Sequence, residues 1–315
     1  MVFVTTYRNP DLDGVACSVA YAEFLRAQGI DARAGIFGHG DRETQFVMDK
    51  VGADMPEDAE GIVQECEAIV LTDTTEAQTI SPAIDVEKVT EIIDHRAHHD
   101  AHRFPHVRIR IELVGAAATL VAERFRDAGI TPSRAAATLL YCAIASHTIN
   151  FRAHVTTERD RTIAQWLNAI AGVDDAFVHA MFRARSHFDS PAALERFLYD
   201  ECAVFTLAGK VVGITQVEFV NVVQCIADHY ALLTVFNAAA MQGKNKRNTV
   251  LDYAFVTMVD LDVCRNTFIA THAPSRALVE AVLQVTFDAR GVAHYDDIIM
   301  RKEIVPRLEA SLTKQ

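Results

Sequence analysis

The sequence predicts an α/β protein: a mostly parallel sheet with helices on both faces in an N-terminal domain, followed by a smaller α+β domain. Three observations carry this prediction. From Val2 to about Phe182, short β-rich runs alternate with helical patterns, as βαβ crossovers require. Polar, acid-bearing stretches follow several of the apolar runs, where a strand gives way to a helix or loop. The alternation then stops at Arg183-Ala184-Arg185-Ser186-His187-Phe188-Asp189-Ser190-Pro191, and a different order of elements begins.

In chain order, Val2 to Tyr7 reads as a strand, Val15 to Gln28 as a helix, Ala32 to Phe37 as a strand and Glu43 to Val51 as a helix. Strands Ala68 to Thr72 and Val89 to Ile93 follow, each bounded by polar residues. Strand Val107 to Ile111 leads into three helical patterns, Ala116 to Asp127, Ser133 to Ser146 and Thr157 to Ala171. The expected domains are 1–182 and 191–315, joined by a linker over 183–190. Ser190 is a suitable N-cap and Pro191 a favoured first residue for a helix to Leu198. Beyond it, strands are expected at Ala203 to Leu207, Val211 to Val217, Phe255 to Asp260 and Thr267 to Ala270, with helices near Val222 to Ala240 and Ser275 to Leu283.

A chain of 315 residues is long enough for two domains with substantial cores. Its net charge of -12 argues against binding a nucleic acid polymer, because no basic stripe dominates. The six cysteines are scattered without a CxxC and read as reduced core thiols. No apolar stretch approaches the length of a membrane span, and Met1-Val2-Phe3-Val4-Thr5-Thr6 runs straight into a strand, so no membrane association and a cytoplasmic location are expected.

Four stretches concentrate the chemistry: Asn9-Pro10-Asp11-Leu12-Asp13-Gly14, Leu71-Thr72-Asp73, Ile92-Ile93-Asp94-His95-Arg96 and Ser146-His147-Thr148. Each follows an apolar run that reads as a buried strand or helix. Asp13, Asp73 and Asp94 lie where their strands end, at the carboxyl edge of a parallel sheet, where crevices form. Several Asp and His aimed at one point would repel and desolvate each other unless a divalent cation sat among them, so a metal site is expected.

These residues resemble the DHH phosphoesterase superfamily, and within it the family II manganese-dependent inorganic pyrophosphatases. The likeness rests on Asn9 to Asp13, Glu43-Thr44-Gln45, Asp73, Asp94-His95, Val114-Gly115 with Ala118-Thr119, and Arg301-Lys302 with Val305-Pro306, in that order. It implies a hydrolase with two metals in the first domain and a DHH-associated second domain that grips phosphate and closes over the first. Carried over by position, Asp11 would bind the first metal, Asp13 and His95 the second, and Asp73 both; Asp94 would orient His95, and Arg301 and Lys302 would hold phosphate. The metal implied is Mn, with Mg, Co, Fe or Zn as alternatives. The substrate implied is a small phosphorylated molecule, and a homodimer is suggested.

Four positions depart from the family pattern. Tyr7 stands in place of a metal-binding histidine, Arg96 of the second signature histidine, His147 of an aspartate ligand and Ala203 of a phosphate-gripping lysine. A phenol titrating near pKa ~10 is a poor ligand, so the first site would be weak. His147 exchanges a charged oxygen donor for a neutral nitrogen that still suits Mn, Fe, Co or Zn. Arg96 cannot act as a general acid but can hold a phosphoryl group bidentately. His98 is close enough in sequence to Arg96 to supply a proton in place of the missing histidine.

The bland readings stand beside these. Asn-Pro-Asp and Asp-Gly also initiate turns without any ligand. His102 and His106 read as solvated loop residues, His39 as a loop residue near the cleft, and Lys244-Asn245-Lys246-Arg247-Asn248 as a solvated hairpin or loop, with an anion contact as its alternative role. The expected function is metal-dependent hydrolysis of a phosphoanhydride such as pyrophosphate or short polyphosphate. The Asp94-His95-Arg96 signature also resembles the prune-like branch, which makes a nucleotide phosphodiesterase the alternative, alongside a weakened phosphate- or nucleotide-binding protein.

Overall fold

The structure, a computed structural model, describes every residue except Ala77, Ala97, His98, Pro105 and Gln315. It comprises two compact units, Met1–Arg185 and Ser186–Gln315.

The first unit runs β1 (Val2–Thr5), α1 (Leu12–Ala27), β2 (Ala32–Ile36), α2 (Arg42–Val51), β3 (Glu57–Asp58), α3 (Ala59–Ile62), β4 (Ala68–Thr72), β5 (Val89–Asp94), β6 (Arg108–Ile111), α4 (Ala117–Asp127), α5 (Arg134–His147), α6 (Glu158–Ala171) and α7 (Asp175–Arg185). The strands form one sheet of order β3-β2-β1-β4-β5-β6, with every neighbouring pair parallel. Consecutive residues Ile69, Val70 and Leu71 of β4 are all buried, and since successive side chains point to opposite faces, both faces are covered. On one face Phe3, Ile69, Leu71 and Ile92 pack with Ile62, Val63 and Phe104. On the other, α1 lies against the sheet: Ser18 Oγ is 3.0 Å from Thr72 Oγ1, and the Tyr21 hydroxyl donates to Glu91 at 2.6 Å.

The predicted strand and helix order of this unit appears as expected, with additions the periodicity does not carry. Strand β3 is two exposed acidic residues and α3 a single turn, both too short for a repeat. Helix α7 continues through Arg185, so the first three residues read as linker are helical.

The second unit runs α8 (Pro191–Asp200), β7 (Cys202–Leu207), β8 (Lys210–Phe219), α9 (Val222–Met241), β9 (Tyr253–Asp260), β10 (Arg265–Ile269), α10 (Ala273–Leu283), β11 (Val292–Tyr295) and α11 (Arg301–Leu312). Ser190 caps α8 by accepting from the Ala193 N–H at 3.2 Å, with Pro191 in the first turn. The sheet order is β11-β10-β9-β8-β7; only β8 and β9 run parallel. Phe255 and Val256, adjacent on β9, enter different cores: one contains Leu278, Ile304 and Leu308 of α10 and α11, the other Leu194, Leu198 and Leu233 of α8 and α9. Among the described residues no helix is long and apolar enough to cross a membrane, and all six cysteines are free.

Candidate functional site

Because β1, β4 and β5 are parallel neighbours, their carboxyl ends deliver three loops to one edge of the first sheet. Asp11 ends the first loop as the N-cap of α1: its Oδ1 accepts from the N–H groups of Asp13 at 3.0 Å and Gly14 at 3.3 Å. Gly14 is required there, since an added Cβ would lie 2.7 Å from Thr6 Oγ1.

Asp13 is completely buried and performs a structural task at the same time. Ala116, at the N-cap position of α4, offers no capping side chain; instead the Ala117 N–H donates to Asp13 Oδ2 at 2.7 Å and the Ala118 N–H to Asp13 Oδ1 at 2.8 Å. The positive end of α4 thus holds a buried carboxylate across 104 residues of sequence. This accounts for the Val114-Gly115 and Ala118-Thr119 pattern: small residues let the helix end approach. Asp160 fixes the preceding turn by accepting from the Gly115 N–H at 2.9 Å and Thr119 Oγ1 at 2.6 Å.

Asp73 follows β4 with φ +53°, a left-handed conformation that aspartate tolerates and that turns its carboxylate toward the site. Both oxygens are buried, and no hydrogen bond reaches either. Two cationic or potentially cationic nitrogens stand 3.4 Å from Oδ1: His95 Nε2 and Arg96 Nη2. Burial pushes the carboxyl up to about 6, with Arg96 pulling the other way.

Asp94, the last residue of β5, orients the next two residues. Its Oδ1 accepts from the His95 N–H at 2.7 Å and the Arg96 N–H at 3.3 Å, and its Oδ2 from the Thr75 hydroxyl. His95 Nδ1 is 3.0 Å from the Val114 carbonyl, which can only accept, so Nδ1 carries the proton and Nε2 turns its lone pair inward. His147, at the last turn of α5, completes the group: Nε2 is 3.1 Å from Asp11 Oδ2 and Nδ1 is 3.5 Å from Asp13 Oδ2. One donor atom from each of Asp13, His95 and His147 lies within 4.8 Å of the others. In the protein alone burial opposes charge on His147, but Asp11 and Asp13 outweigh it and lift the imidazole to about 10. The same opposition, won by Asp73, raises His95.

Two of the four departures, Tyr7 and Arg96, lie against each other. Arg96 Nη1 donates to the Asp73 carbonyl, and its guanidinium carbon lies 5.3 Å from the centre of the Tyr7 ring. The Tyr7 hydroxyl accepts from the Asp11 N–H at 3.0 Å, and burial, followed by the nearby Asp11 and Asp73, raises the phenol well above its ordinary range.

Asp11, Asp13, Asp73, His95, Arg96 and His147 are therefore brought together, whereas His98 lies outside the described residues. His39, His102 and His106 are exposed. In the second unit, Arg301 opens α11, its Nη1 donating to the Glu201 carbonyl at 2.7 Å, while Lys302 is exposed. Ala203 pairs with Ile214 between β7 and β8. The sequence reading missed Thr75 and the Val114 carbonyl; the run Thr72-Asp73-Thr74-Thr75 after β4 was the available signal for the first, and a carbonyl leaves none.

Residues 1–144 match the DHH family, N-terminal domain. A Deinococcus radiodurans protein named "Probable manganese-dependent inorganic pyrophosphatase" is 30% identical over 323 aligned positions, covering 98% of each chain. A Clostridium acetobutylicum protein of the same name is 30% identical over 223 positions, 70% of this chain and 71% of that one. Among solved structures, a Methanococcus jannaschii chain assigned to the family II inorganic pyrophosphatases aligns with TM-score 0.72 at 24% identity, over 99% of both chains. An exopolyphosphatase-related protein from Bacteroides fragilis shares the fold with TM-score 0.53 at 14% identity, over 99% of this chain and 92% of the other. With a DHH domain at its N-terminus and a 30% identical relative matched from end to end, this chain belongs to the family of manganese-dependent inorganic pyrophosphatases.

Proposed function

We propose that this chain is a metal-dependent phosphohydrolase that cleaves a phosphoanhydride, with pyrophosphate as the first substrate and Mn2+ as the metal. The observation that carries the proposal is Asp73, a buried carboxylate with no hydrogen bond to either oxygen, at the edge of a group of Asp13, His95 and His147. A buried carboxylate that accepts no hydrogen bond, and whose one arginine neighbour at 3.4 Å also faces Asp94, is unfavourable unless a further cation faces it. Two imidazoles and carboxylate oxygens form a donor set that suits Mn2+ as well as Fe, Co or Zn, so the residues fit the metal the relatives' names carry.

Asp13, His95 and His147 would hold the cation, with Asp73 and Asp11 beside them. Bound there, it would lower the pKa of a water and neutralise charge on the phosphoryl group. The chain's own residues do the rest. Asp13 is fixed by the end of α4, and His95 is locked in the tautomer that leaves Nε2 free. Asp94 holds the His95–Arg96 backbone in place. Arg96, still 30% exposed, retains N–H groups able to meet phosphoryl oxygens, where positive charge stabilises the negative charge that develops. Arg301 and Lys302 carry the anion-binding role in the second unit that the family likeness implies.

Phosphate release from pyrophosphate and tripolyphosphate with Mn2+ tests the proposal, with Asp73→Ala as control. Turnover that falls on the order of 10²–10³-fold or more in the variant supports it. Turnover of phosphodiesters with silence on both phosphoanhydrides would replace it with the nucleotide phosphodiesterase reading.

A further inference from the structure

We infer that the site takes a single divalent cation per chain and that the Arg96 guanidinium is a built-in replacement for a second one. The inference rests on the metal-dependent reading above and extends it to this chain's own departures from its family.

Asp73 lies between two differently furnished sides. On one side His95 Nε2 stands 3.4 Å from Oδ1, and His95 belongs to the Asp13–His95–His147 group, the one cluster of convergent metal donors among the described residues. On the other side, Arg96 Nη2 is 3.4 Å from the same oxygen, while Nη1 grips the Asp73 carbonyl and lies 3.5 Å from Asp94 Oδ1. That side offers a cation little else. Asp11 gives Oδ1 to the start of α1 and turns Oδ2 to His147. Tyr7 spends its hydroxyl accepting from the Asp11 N–H and lies with its ring under the guanidinium. A neutral phenol packed beneath a fixed cation is a support, not a ligand.

Charge agrees with geometry. Asp11, Asp13, Asp73 and Asp94 bring four negative charges to the cleft and Arg96, which faces both Asp73 and Asp94, offsets one, leaving three. One divalent ion reduces the three to one, so a second would overcompensate these groups and would face the guanidinium directly, at a separation where like charges in a partly buried site repel strongly. Arg96 thus supplies positive charge that does not depend on metal concentration, and Tyr7 and Arg96 act as one paired substitution.

The test counts metal rather than turnover. Chelator-stripped, full-length protein is titrated with Mn2+ alone by calorimetry; metal content is then measured after desalting, and the bound ion is examined by electron paramagnetic resonance. One Mn2+ per chain with the spectrum of an isolated ion is expected. The paired reversal Tyr7→His with Arg96→His should raise the count to two and broaden the spectrum through coupling between neighbouring ions. Two tightly bound, coupled ions in the unaltered protein would overturn the inference while leaving the phosphohydrolase reading intact, and this outcome does not depend on the variant folding. A folded reversal variant that stays at one ion would overturn the role given to Tyr7 and Arg96. No bound Mn2+ at all in the unaltered protein would overturn both readings.

Discussion

Glu91 lies within β5 and Asp73 just past the end of the neighbouring β4; both are buried acids, and their surroundings are opposite. Glu91, within β5, accepts from the Tyr21 hydroxyl at 2.6 Å and from Arg124 at 3.0 Å, and pairs with Arg108 as well. Asp73, just past β4, accepts no hydrogen bond. A buried carboxylate with its hydrogen-bond partners in place belongs to the architecture, whereas one that accepts no hydrogen bond and faces other acids, imidazoles and a single arginine points to a further cation. Asp160 sides with Glu91, saturated by Gly115, Thr119 and Thr157.

The comparison is sharpened most by Glu91→Ala. It leaves the buried Tyr21 hydroxyl and two arginines without their acid, so stability should fall by about 3 kcal/mol while Mn2+ binding persists in the folded fraction; chemical denaturation and calorimetry check both. Asp73→Asn should do the reverse in chelator-treated protein. Because the folded carboxyl titrates near 6 and the unfolded one near 3.8, the folded state binds the proton more tightly. The stability this contributes is complete below the unfolded value and is lost as pH rises through the folded one. The variant should therefore be more stable than the unaltered protein at pH 7, by about 2 kcal/mol, with the gap closing toward pH 4; thermal unfolding across that range tests the sign. Asp160→Asn should cost about 1 kcal/mol through the Thr157 capping box and the Gly115 turn, with a modest loss of metal affinity because Asp13 leans on α4. Equal effects of Glu91 and Asp73 substitutions on stability would erase the distinction.

Much of this was legible in the sequence. Asp11, Asp13, Asp73 and Asp94 each sit where an apolar run ends, and parallel pairing of β1, β4 and β5 necessarily carries such residues to one edge. His95 and His147 were legible by their neighbours and by family likeness. What the sequence did not carry was the use each group makes of its partners. That Asp13 also caps α4 depends on a contact across 104 residues, and no local pattern encodes it. That Arg96 leans on Tyr7 and grips Asp73 joins three distant positions that, read singly, suggest a phosphoryl-holding arginine, a lost ligand and a retained one. Helix α11 stayed hidden because Pro306 interrupts its pattern, although Glu303 reaches back to the Met300 N–H at 3.0 Å to cap it.

The most direct test of the central claim is the thermal shift that Mn2+ gives the unaltered protein and Asp73→Asn. A cation that binds the folded state raises its unfolding temperature in proportion to the logarithm of its concentration. The account predicts a rise with added Mn2+ in the unaltered protein and a rise that is lost or strongly reduced in the variant. Equal rises in the two proteins would mean that Asp73 faces no metal, and the reading of its open carboxylate would fail.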